Sequence, residues 1–291
     1  MSWQETALLL DCEDETLVGV LADPAPPTPA QAIGVVIVVG GPQYRAGSHR
    51  QFTDLARSLA AAGFATLRFD LRGMGDSTGS AVGFEDCSAD IGAAIDALLR
   101  LRPGLSEVVL WGLCDGASAA LLYLDERADA RVAGLCLLNP WVRSSAGLAR
   151  TRVKHYYWER LTQHSFWTKL LRGGVAFGAL RDLAANVKLA GMAADAEAAP
   201  GRASFQRRMA RAWQRFGGAS LLILSGNDHT AKEFIDHVRS DAAWRGALAL
   251  PRVQRCDLAS ADHTFSAPAD AQEVEARTIE WLRSGLARGA P

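Results

Sequence analysis

Three observations predict an α/β fold built on a mostly parallel sheet with an inserted helical segment. Strand-sized apolar runs alternate with helical stretches up to residue 138, the rhythm breaks over 141–217, and it resumes from 220 onward. Alternation at this spacing makes βαβ units with parallel strands and right-handed crossovers. The third observation is the turn Gly112-Leu113-Cys114-Asp115-Gly116, which joins a strand directly to a helix. A chain of 291 residues suits one large core carrying an insertion.

The elements follow in order. Residues 5–22 read as two strands joined near Glu13-Asp14-Glu15, and the stretch from Pro24 to Pro29 is too rich in proline to continue a central strand. Ile33-Gly34-Val35-Val36-Ile37-Val38-Val39 is an unbroken β-branched run, as a strand covered on both faces requires. A helix is predicted over 49–62, a strand over 65–70 and a helix over 85–101. Strand 107–111 leads into the glycine-flanked turn, a helix over 115–127 follows, and strand 133–138 closes this half. From 141 to 217 the pattern is helical. The second half then places a strand at 220–224, a helix near 231–243, a strand at 253–258 and a terminal helix near 270–287. Residues 1–140 and 218–291 are therefore assigned to the core and 141–217 to a helical lid.

The net charge of −1 gives no general attraction to nucleic acid. Five scattered cysteines with no C-x-x-C pair indicate neither a disulfide framework nor a zinc site. They fit a reduced compartment. The start Met1-Ser2-Trp3-Gln4-Glu5 lacks the pattern of a secretory signal, and the apolar runs fall short of the roughly 20 residues that span a bilayer, so a cytoplasmic location without a transmembrane segment is expected. Charge is uneven along the chain. Residues 141–217 hold fourteen Lys and Arg against Glu159, Asp182, Asp195 and Glu197, with Trp141, Tyr156, Tyr157, Trp158, Phe166, Trp167 and Phe177 among them. That composition fits a solvated helical face, or a basic lid over an anionic substrate or carrier.

The turn at 112–116 is the G-x-S-x-G nucleophile elbow with cysteine in place of serine. Strained backbone angles lift such a side chain above the sheet, and the glycines let helix and strand approach. The chain resembles the α/β-hydrolase superfamily over nearly its whole length, on this elbow together with Val39-Gly40-Gly41-Pro42-Gln43-Tyr44-Arg45, Asp70-Leu71-Arg72-Gly73-Met74-Gly75-Asp76-Ser77, Ser225-Gly226-Asn227-Asp228 and Ala261-Asp262-His263-Thr264-Phe265. Within it, the same stretches are similar to a bacterial hydrolase group associated with exosortase and exopolysaccharide systems.

The resemblance implies an order of nucleophile, acid and histidine, which falls on Cys114, Asp228 and His263. A thiolate would attack, His263 would handle the proton, and Asp228 would hold the imidazole. Asp257 and Asp262, close to the histidine in sequence, compete for the acid's role. Two backbone N–H groups must cradle the oxyanion: that of Asp115 and that of Gly41, from an element resembling H-G-G-P in which Val39 stands where related hydrolases carry histidine. Pro42 has no N–H to give. Gln43, Tyr44 and Trp141 are expected to contact substrate. The loop from Asp70 to Asp76 is expected to be structural, Cys136 and Cys256 to be buried filler, and His49, His155, His164 and His237 to lie on helical surfaces. No metal cluster, phosphate loop or dinucleotide fingerprint is present in the sequence, so no cofactor is expected.

Cysteine at the elbow points to esters, thioesters or lactones, because a thiolate is expelled more readily than an amine from the adduct of an ordinary amide. Dienelactone hydrolases resolve such an acyl-cysteine with water, and polyhydroxyalkanoate synthases resolve it with a hydroxyl. Three readings follow: an acyl hydrolase, an acyltransferase to a saccharide or lipid, and a catalytically silent binding protein with the same fold.

Overall fold

Val35, Ile37, Val109 and Trp111 point to one face of the central sheet and Val36, Val38, Leu110 and Leu137 to the other, all of them buried. Strands covered on both faces carry apolar side chains at every position, which explains the unbroken runs in the sequence. The structure is a computed structural model. It describes residues 2–40, 43–143, 203–284 and 286.

The chain opens with strands β1 (Trp3–Cys12) and β2 (Glu15–Pro24), then β3 (Ile33–Val38), helix α1 (Gln51–Ala61), β4 (Thr66–Phe69) and helix α2 (Ser88–Leu101). Next come β5 (Glu107–Leu113), α3 (Asp115–Arg127) and β6 (Val132–Leu138). Beyond the insertion lie α4 (Phe205–Arg215), β7 (Ala219–Ser225), α5 (His229–Ser240), β8 (Val253–Leu258) and α6 (Pro268–Ser284). The sheet order is β1-β2-β4-β3-β5-β6-β7-β8. Strands β3 to β8 run parallel, and β2 alone opposes its neighbours, antiparallel to both β1 and β4. This is the mostly parallel sheet flanked by helices that the resemblance implies. All loops after β3 to β8 therefore emerge at one edge, where ligands of open α/β sheets bind.

Helices cover both faces. On one, Ile91 and Ile95 of α2, Leu121 of α3 and Met209 and Trp213 of α4 pack over Leu110, Leu137 and Leu222. On the other, Phe52 and Leu59 of α1 and Trp281 of α6 pack over Val109, Trp111 and Ile223. Full burial of each large side chain contributes about 1.5–3 kcal/mol.

Two segments differ from the sequence expectation. Helix α5 starts at His229, two residues early, because the Asp228 carboxylate accepts the N–H groups of Thr230 and Ala231 and caps it. Helix α4, assigned by sequence to the lid, packs in the core unit. Chain contacts divide the protein into one unit of Met1–Val142 with Phe205–Pro291 and a second of Arg143–Ser204. The reason is visible in α4: Phe205, Met209, Ala212 and Trp213 are buried, and Arg208 and Arg211 both reach Asp125 of α3. Two of the fourteen cations counted in 141–217 are thus committed to a core carboxylate. Apart from residues 141–143 and from α4 with its flanks, the proposed lid lies outside the described residues. Among the described residues no helix is long and apolar enough to cross a membrane.

Candidate active site

Strand β5 delivers Cys114 to the middle of the sheet edge, between the ends of β3 and β6. Its backbone sits at φ 59°, ψ −124°, a region that costs a non-glycine residue about 1–3 kcal/mol. The surroundings hold that strain in place. Cys114 N–H donates to Leu138 O at 2.8 Å, and Cys114 O accepts from Ala117, Ser118 and Trp141 N–H groups at 3.1–3.2 Å. Gly116 lies so close to β3 that a Cβ there would stand 2.4 Å from Val38 O. Facing it, a Cβ on Gly40 would stand 2.3 Å from Gly116 N and 2.0 Å from the Asp115 carboxylate. The loop after β3 can approach the elbow this closely only because both positions are glycine.

Strand β7 and the turn after it place Asp228, and the loop after β8 places His263. The imidazole Nδ1 lies 2.9 Å from Asp228 Oδ2. Burial by itself would raise the Asp228 pKa. The bond to His263 and the N–H groups of Thr230 and Ala231 outweigh it and hold the carboxyl below its usual range. The His263 pKa is raised to about 10, first by the hydrogen bond to Asp228 and then by one to the Cys114 side chain, against the opposing effect of burial.

The competing acids are engaged elsewhere. Asp262 accepts Thr264 N–H at 3.1 Å and Ser266 N–H at 2.9 Å, closing the turn that holds His263. Asp257 pairs with Arg255 at 2.9 Å on edge strand β8. Asp115 begins α3 with its N–H in the first turn, where helix donors lack internal partners. Gly41, the other expected oxyanion donor, lies outside the described residues with Pro42. Val39 is buried in the core against α1.

Gln43 and Tyr44 line an apolar groove that also touches Asp115. Trp141 stands beside the nucleophile, and its backbone is what holds the elbow: besides its N–H on Cys114 O, its carbonyl accepts the Ser118 hydroxyl at 2.7 Å. Asp70 behaves as the structural reading expects. It is buried, takes Arg45 N–H at 2.6 Å and Asp76 N–H at 3.1 Å, and pairs with the Arg45 guanidinium, pinning the segment that carries Gln43 and Tyr44. Cys136 is buried as expected. Cys256 is only half-buried, because β8 is the sheet's edge. Of the four histidines expected on helical surfaces, His155 and His164 lie outside the described residues. His237 sits on α5 with a pKa lowered mainly by burial, and His49 sits in a short 3₁₀ turn at φ 53°.

Sequence reasoning missed a buried pair behind the site. Asn139 Nδ2 donates to Ser225 Oγ at 2.8 Å and to His263 O at 3.2 Å, while Asn139 Oδ1 accepts Ser225 N–H at 2.9 Å. Ser225 Oγ in turn donates to Asp262 O at 2.8 Å. The pair ties the ends of β6 and β7 to the histidine loop. The available signal was Asn139-Pro140, a polar stop directly after a fully apolar strand. Among the described residues no group of three or more His, Cys, Asp or Glu side chains could hold a metal ion.

Comparison with known proteins gives three kinds of likeness. A family model described as "Serine aminopeptidase, S33" matches residues 30–228. Human Protein ABHD12B is 34% identical over 121 residues, covering 38% of this chain and 31% of that protein, so the chain matches under a third of that relative's length. The structure of the Pyrococcus furiosus esterase Pf2001 superposes with a TM-score of 0.64 at 15% identity, over 98% of this chain and 92% of that one. Est1E of Butyrivibrio proteoclasticus, solved with ferulic acid bound, gives 0.62 at 14% identity, over 97% and 100%. A dienelactone hydrolase from Anabaena variabilis gives 0.59 at 18% identity, over 97% and 98%. At these identities the likeness to solved structures is one of fold.

Proposed function

Since the chain belongs to the serine aminopeptidase S33 family of α/β hydrolases, we propose that it is an acyl hydrolase of ester or thioester bonds in which Cys114 replaces the serine nucleophile. The observation that carries this reading is the His263 ring, hydrogen-bonded through Nδ1 to Asp228 at 2.9 Å, with a pKa raised first by Asp228 and in part by the Cys114 side chain. Nucleophile, base and acid in that relation are what covalent acyl transfer needs.

The proposed steps are these. The Cys114 thiolate adds to the substrate carbonyl, forming the C–S bond while the carbonyl electron pair moves onto oxygen. That oxyanion is received by the N–H groups of Asp115 and Gly41. The adduct collapses, the bond to the leaving group breaks, and the departing alkoxide or thiolate takes the proton from His263 Nε2. Neutral His263 then removes a proton from water, the hydroxide attacks the acyl-cysteine, and the C–S bond breaks. Free acid leaves, and thiolate and imidazolium are restored. With a pKa raised to about 10, His263 already holds at neutral pH the proton this leaving group needs. An amide would fare worse, because its tetrahedral adduct expels thiolate in preference to amine.

The basic surplus of residues 141–217 suits a phosphate-bearing leaving group or carrier. The resemblance to exosortase-associated hydrolases supports a link to exopolysaccharide systems, and in the alternative reading a saccharide or lipid hydroxyl replaces water as acceptor. Intact-mass measurement after exposure to a short acyl thioester tests the core claim. A single acyl adduct should form on the wild-type protein and be absent from Cys114→Ala, with turnover lost. Normal turnover by Cys114→Ala would reject the assignment, and failure of any acyl donor or thiol probe to modify Cys114 would favour the silent binding protein. Product analysis with saccharide acceptors separates transfer from hydrolysis.

A further inference from the structure

A groove of about 620 Å³ opens beside Asp115, the residue that follows the nucleophile. Its walls come from the loop after β3, with Gln43 and Tyr44, and from the long loop after β4, with Leu71, Met74, Val82 and Phe84. The lining is mainly apolar, and it is held from behind. Leu71 is buried in the core, and Phe84 stacks edge-on against Phe205 of α4 with ring centres 5.2 Å apart. Arg45, gripped by Asp70 and Asp76, fixes the segment carrying Gln43 and Tyr44. Its size is that of a small-molecule site.

The strand order says which part of a substrate belongs there. Asp228 and His263 follow β7 and β8, on one side of β5, whereas the groove lies over β3 and β4, on the other. The leaving group must depart beside the imidazolium that protonates it. The acyl chain, on the opposite side of the attacked carbon, must extend away from His263. Taking the nucleophile assignment above as given, we infer that the groove over β3 and β4 is the acyl-binding site, and that it accepts an apolar acyl chain longer than acetyl. A carboxylate on that chain is excluded, because the apolar walls offer it little compensation for lost water. Any anion on the substrate then belongs to the leaving group.

A series of p-nitrophenyl esters from acetate to decanoate tests this. kcat/KM should climb from acetate by up to about fourfold per methylene until the groove is filled, as burial of each CH₂ allows. The butyryl ester should exceed its succinyl counterpart by tenfold or more. Val82→Trp should erase the gain with chain length, lowering kcat/KM for octanoate far more than for acetate. Met74→Trp serves as the second obstruction if that protein is unstable. A flat profile from acetate upward, or equal loss on all esters in both variants, overturns the assignment. Calorimetric binding of octanamide to Cys114→Ala distinguishes the two claims. Octanamide bound by Cys114→Ala and lost on adding Val82→Trp, with no ester turned over by wild type, sinks hydrolysis and keeps the groove. Acyl adducts on Cys114 with no chain-length dependence and no octanamide binding sink the groove and keep hydrolysis.

Discussion

At the level of single residues, the decisive quantity is the proton on His263. Its pKa is raised to about 10 in the folded protein, against about 6.5 in an unfolded chain. A raised histidine stabilises the fold fully below its unfolded value and loses that contribution as pH rises through the folded one. Activity shares the upper limit: kcat/KM should hold through neutral pH and fall as the imidazolium is lost near pH 10. Asp228→Asn removes the foremost cause of the raised value, so its alkaline limb should appear at lower pH, with kcat reduced roughly 10²- to 10⁴-fold. A full pH–rate profile of both proteins checks this, and an unmoved limb would separate Asp228 from the catalytic ring. The sequence pointed to Cys114 from its elbow and to Asp228 from its place after a strand, with Asp257 and Asp262 as competitors. Three aspartates satisfied the order of roles. What separates them is the position of each strand end in space, which spacing along the chain does not encode. One local signal did exist, since an aspartate directly before a helix is a cap, and Asp228 is one.

Between elements, the junctions matter more than the elements themselves. The Asn139–Ser225 pair links β6, β7 and the loop bearing His263 through buried hydrogen bonds. Asn139→Leu leaves those partners unsatisfied and should cost about 1–3 kcal/mol of stability. It should also lower kcat more than it raises KM, because the ring loses its mooring while the groove is untouched. Denaturant titration alongside steady-state kinetics measures both. The junction of α4 with α3 makes a second case. Asp125→Ala strips Arg211 of its partner and leaves Arg208 only the longer pair with Glu126 at 3.7 Å, and since the Asp125 and Arg208 side chains are buried the loss should be clear in thermal unfolding. Neither junction was legible in the sequence. A basic amphipathic helix reads the same whether it belongs to an insertion or to a core, and only Asp125, some eighty residues away, decides. The strands and helices were legible because each is locally consistent: β-branched runs for the covered strands, small residues for the helix leaving the elbow.

Across the whole molecule, strand order divides the labour. The central strand carries the nucleophile, proton handling lies toward β8, and the apolar groove lies toward β1. Such polarity is a property of topology, invisible in any single motif, and the antiparallel hairpin at the far edge plays no part in it. Asp228 has a consequence beyond its role beside His263. The same carboxylate ends a strand turn, starts α5 and steadies the imidazole, so its protonation in acid would loosen a helix terminus and release the ring in one event. Its pKa lies below the ordinary carboxylate range, so that support is intact above about pH 4 and is withdrawn only under strong acidity. Acid inactivation and fraying of α5 should therefore coincide, a single latch failing rather than two.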